Sequence, residues 1–99
     1  MSTGEIDVEA DRIVHRLTTM PIGRIDDALI EQVRDAAQRI VDLTPDPSRP
    51  PSARMPRVGA SALGAQVAVA VRDYLDTRTA ASDDAAVAEV LTQLRRSLP

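Results

Sequence analysis

His15 is the only histidine in the chain, and imidazole is the side chain best suited to move a proton near neutral pH. Thr18 and Thr19 lie close behind it. A hydroxyl nucleophile needs a base within hydrogen-bond reach and a third group to orient that base. No third group stands nearby in sequence. In a helix His15 also falls away from the stripe Ile6, Ala10, Ile13, Leu17, so it is expected to face solvent as a surface residue. Paired carboxylates occur at Asp26-Asp27 and Asp83-Asp84, where they read as helix caps and dipole partners. Asp73 and Asp76 could approach a hard cation together, but calcium takes six or more oxygens and no EF-hand spacing is present. Neither G-x-x-x-x-G-K-[ST] nor G-x-G-x-x-G occurs, so no familiar phosphate loop is encoded. Cysteine is absent, which removes disulfides, thiol nucleophiles and thiolate metal sites. With one histidine, zinc sites of the usual type are excluded too. The expectation is a protein that is not an enzyme and holds neither cofactor nor metal.

The most unusual segment is 44–60. It holds five of the seven prolines, namely Pro45, Pro47, Pro50, Pro51 and Pro56, with Arg49, Arg54 and Arg57 against the single acid Asp46. Proline lacks the N–H and clashes with the preceding turn, so no helix runs through it. An extended, partly polyproline-II linker is expected. Pro47-Ser48-Arg49-Pro50 fits P-x-x-P, a pattern that docks on partner proteins. The three arginines could instead grip a phosphate backbone. The plainest reading is a tether between two helical hairpins.

Four segments show the spacing of amphipathic helices. In 3–18 the stripe is Ile6, Ala10, Ile13, Val14 and Leu17, with Ser2 and Glu5 spaced as a capping box. In 26–43 it is Leu29, Val33, Ala36, Ala37, Ile40 and Val41. Asp26 is the expected N-cap there, Ile25 and Ile30 stand as a hydrophobic staple, and Asp35 and Arg39 form an i,i+4 pair. In 60–77 the stripe is Leu63, Val67, Ala70, Val71, Tyr74 and Leu75. Val67 to Val71 alternates and would also suit a strand, but no second strand exists to pair with it, so helix is expected. Ala60, Gly64 and Ala68, four apart, permit close approach of another helix. In 83–98 the stripe is Val87, Val90, Leu91, Leu94 and Leu98, with Ser82 as the expected N-cap and Arg95 and Arg96 in the last turn.

One apolar face per helix demands a shared interior, so the fold class is all-α. We expect a single small domain over 1–99, a bundle of about four helices arranged as two helical hairpins, joined by the long Pro/Arg-rich loop. The core has no Phe or Trp, and a chain of 99 residues gains little more from burial than ordering costs. Association with a protein partner or a second copy, as a homodimer, would offset that. The net charge of −3 opposes non-specific nucleic-acid binding. No stretch is long and apolar enough for a membrane span, and no secretory signal begins the chain, which points to the cytoplasm. Absence of Lys and abundance of Ala, Arg and Asp read as the codon bias of a GC-rich bacterial genome. The expected function is protein–protein interaction, with Arg49, Arg54, Arg57, Leu63, Val67, Val71, Leu91 and Leu94 as candidate contacts. The alternative is a small DNA-associated regulator, antitoxin-like, using Arg49, Arg54, Arg57, Arg95 and Arg96.

Overall fold

The computed structural model describes residues 3–45, 56 and 58–99. Helix α1 spans Thr3–Thr19, α2 Asp27–Leu43, α3 Leu63–Thr77 and α4 Asp84–Ser97, with short 3-10 turns at Ile22–Arg24 and Ala60–Ala62. Among the described residues there is no strand, and Val67 to Val71 are helical. The all-α bundle of four helices is therefore what the periodicity encodes. The tether expected at 46–55 and Arg57, and the Ser2 half of the capping box, lie outside the described residues.

Local chemistry sets the helix ends. Asp26 caps α2, its carboxylate accepting from Leu29 N at 2.8 Å, and the flanking Ile25 and Ile30 are both buried. Thr44 closes the other end, its hydroxyl donating to Ile40 O at 2.7 Å. At α4 the cap is Asp83 rather than Ser82. Asp83 accepts from Ala86 N at 3.0 Å, while Ser82 Oγ accepts from Thr79 N at 2.8 Å and tightens the preceding turn. The expected Asp35–Arg39 pair is not formed; Arg34 instead approaches Glu31 at 3.3 Å.

The stripes meet in one interior. Ile6, Ile13, Leu17, Val33, Ile40, Leu63, Val67, Tyr74, Val87 and Leu91 are among its buried members. The helices, however, do not pack as two hairpins. The broad contacts are α1 on α3, α1 on α4, α2 on α3 and α2 on α4. Consecutive helices stand diagonally across the core, so the two halves interlock.

Directions follow from paired residues. Glu9 meets Arg95 and Arg16 meets Pro99, so α1 and α4 run parallel. Gly64, near the start of α3, lies against Val14 and Thr18, near the end of α1, so these two run antiparallel. Gln32, early in α2, bonds Ser97 at the end of α4, so these also oppose each other. It follows that α2 and α3 are parallel neighbours. A parallel neighbour cannot be reached by a tight turn. The chain must return along roughly 25 Å of helix, and the eleven steps from Pro45 to Pro56 can reach at most about 40 Å. The long Pro-rich segment is thus the crossover that this topology requires.

Candidate functional site

The sequence candidates separate into three groups. Arg49, Arg54 and Arg57 lie outside the described residues. Leu63, Val67, Val71, Leu91 and Leu94 are all buried in the shared core. They were expected to contact a partner, and the physical correction is simple: the bundle's own helices already cover that face. Gly64 is likewise spent internally, since a Cβ there would meet Thr18 Oγ1 at 3.0 Å and Val14 O at 3.5 Å. Its smallness lets α1, not a foreign helix, come close.

Several of the polar candidates have structural partners. His15 is exposed, and Thr19 donates its hydroxyl to the His15 carbonyl at 2.8 Å, leaving no hydroxyl–imidazole pair there. Asp76 faces Arg72 at 3.7 Å. Among the described residues no group of three or more His, Cys, Asp or Glu is placed to hold a metal ion. Arg95 donates to Glu9 at 2.5 Å, and Arg12 lies 3.6 Å from the same carboxylate. Arg95, an expected phosphate contact, is therefore committed to joining α4 to α1.

Tyr74, Arg78 and Asp84 form a cluster that periodicity alone did not reveal. Tyr74 is the only aromatic side chain and is wholly buried. Its hydroxyl donates to Asp84 Oδ1 at 2.5 Å. Arg78 Nε donates to the same oxygen at 3.0 Å, and its Nη2 to Oδ2. Burial, followed by the hydrogen bond to Asp84, pushes the Tyr74 phenol up to about 12. Asp84 is held below the ordinary carboxylate range, first by Arg78 and then by Tyr74. The cluster ties the last turn of α3 to the first turn of α4. A buried phenol needs a partner for its hydroxyl, and Asp84, ten residues on at the start of α4, was the available signal.

An apolar surface is left open on the outward side of α3. Ala65, Ala68 and Val69 are exposed and Ala62 is half-buried. Val69 stands 57% exposed, as Val8 on α1 does at 49% and Ile22 at 67%. Beside it runs an almost purely apolar groove of about 340 Å³, between α3 and the stretch through Pro56 and Val58. Gln66 lines it, 7% exposed, its Nε2 donating to Pro56 O at 2.8 Å while Oε1 has no partner. This face, and not the inner stripe, is the candidate site. The sequence held its signal in Val69 and Ala65, apolar residues standing off the core stripe. No helix among the described residues is long and apolar enough to cross a membrane. Comparison with known proteins finds no matching family model, no matching curated protein and no matching solved structure.

Proposed function

We propose that the chain is a non-catalytic protein-binding module whose contact surface is the outward face of α3. The observation that carries this is Val69, exposed in the middle of a regular helix and flanked by the apolar groove of Pro56, Val58, Ala62 and Ala65. A projecting apolar side chain beside an apolar groove offers a partner's apolar side chain a place to be buried out of water. Supporting it, Asp26 and Asp83 are engaged in helix caps, and Asp76 and Arg95 in ion pairs. The surface suits an apolar helix laid into a groove, with specificity supplied by the polar edge of Gln66, Arg72 and Asp73.

The test is a photo-crosslinking side chain placed at position 69 and, separately, at exposed Arg39 on α2, in the cells that make the protein. Discrete adducts from position 69 that are lacking from position 39 are expected. Equal or absent labelling at the two positions overturns the proposal.

A further inference from the structure

We infer that the groove between α1 and α3 seats a basic amphipathic helix of a protein partner, with its apolar face on the groove floor and its cations on the lips. This deepens the binding reading above and rests on it, since Val69 also lines this groove. The groove holds about 390 Å³, and Ala10, Val14, Ala68 and Val71 make its floor apolar. The two helices run antiparallel here, and the side chains of Ala10 and Ala68 are small. A third helix can therefore settle between them and bury its own apolar side chains.

Charge complementarity decides the occupant. Asp7 and Asp11 line the groove from α1, one helical turn apart, and Asp73 lines it from α3. All three are exposed, and no described residue pairs with their carboxylates. Elsewhere on the bundle Glu9, Glu31, Asp76 and Asp84 each have an arginine. The only arginine lining the groove, Arg72, lies 3.7 Å from Asp76. The lips are therefore left negative, and at a cost to the fold. Like charges at i,i+4 repel on a helix, and aspartate is a poor residue in a helix interior, where Asp11 and Asp73 stand. No described ion pair offsets that cost, whereas a cationic partner would. Among the described residues no group of three or more acids is placed to hold a metal ion. The complement is thus a spread of cations rather than a single one, and Arg or Lys at i and i+4 of a docked helix matches the spacing of Asp7 and Asp11.

The probe is a labelled helical peptide with leucine along one face and arginine on both sides of it, titrated against the intact chain by fluorescence anisotropy. A counterpart with glutamate in place of arginine is the control. The arginine peptide is expected to bind and the glutamate peptide is not. The triple variant D7N/D11N/D73N should weaken binding about tenfold. The triple variant D35N/D42N/E89Q removes the same charge from exposed positions elsewhere and should leave binding unchanged. The groove variant should keep the helical circular-dichroism spectrum and melt no lower than wild type, because it relieves repulsion. Equal weakening by the two triple variants, failure of the arginine peptide to bind, or a lower melting temperature in the groove variant would each overturn the inference. Crosslinked adducts at position 69 that persist undiminished in D7N/D11N/D73N would leave the broader binding reading standing and remove the basic partner.

Discussion

At the residue scale the one phenol shows most directly how chemistry and packing meet. Tyr74 fills the core with its ring and delivers its hydroxyl to Asp84 at the bundle's edge. Its ionisation is pushed up to about 12 from the ordinary value of 10.0. A folded-state pKa above the unfolded one contributes stability that is complete below pH 10 and is lost as pH rises through 12. We therefore expect unfolding free energy to fall across that window. Phenolate absorbance should titrate near the upper end in folded protein and near the lower end in denaturant. Tyr74 is the only aromatic residue, so the optical signal has a single source. Tyr74→Phe keeps the ring and removes the hydrogen bond. It should cost about 1 kcal/mol in urea denaturation at neutral pH and abolish the alkaline fall. An alkaline limb unchanged in Tyr74→Phe would show that the loss comes from elsewhere.

At the scale of elements, the apolar stripes located each helix to within a few residues, because burial of one face is a property of spacing alone. Asp26 and the Ile25–Ile30 staple fixed the start of α2 for the same local reason. Ser82 and Asp83 are both good caps, and nothing local decides between them; the turn at Thr79 claims Ser82. What spacing could not convey is which helix covers which stripe. Leu63, Val67 and Leu91 read equally as core or as docking surface until α1 and α2 are laid over them. Gly64 is a further case. Its neighbours 3.0 Å and 3.5 Å from a notional Cβ are the Thr18 hydroxyl and the Val14 carbonyl. Gly64→Ala should be near neutral, since the exposed Thr18 hydroxyl can turn away and alanine favours helix by about 1 kcal/mol. Gly64→Leu has no such outlet against the Val14 backbone and should cost about 1–3 kcal/mol. Thermal denaturation of the two variants separates these outcomes, and equal melting temperatures would show that α1 does not pack there as described.

At the scale of the whole molecule, the interlocked pairing means that neither half owns a core. The broad faces of α1 and α2 are against α3 and α4, not against each other. Fragments 1–45 and 56–99 should each be largely unstructured alone, since short amphipathic helices gain their stability from tertiary burial. Mixed in equal amounts they should recover the helical circular-dichroism signal of the intact protein. Helicity in either fragment by itself would contradict the interleaved arrangement. The same topology accounts for the proline-rich crossover as a length requirement, which no reading of its composition could supply.

That helix order also governs the birth of the protein. On the ribosome α1 and α2 emerge before any of α3 exists, and the crossover must be translated before the first covering helix appears. At ordinary elongation rates this interval is on the order of seconds. Throughout it, Ile6, Ile13, Val33 and Ile40, all buried in the finished bundle, belong to a nascent chain that has nothing to fold against. Exposure to chaperones and proteases during synthesis is consequently set by the succession of the helices, and substitutions that strengthen the finished core do nothing to shorten it.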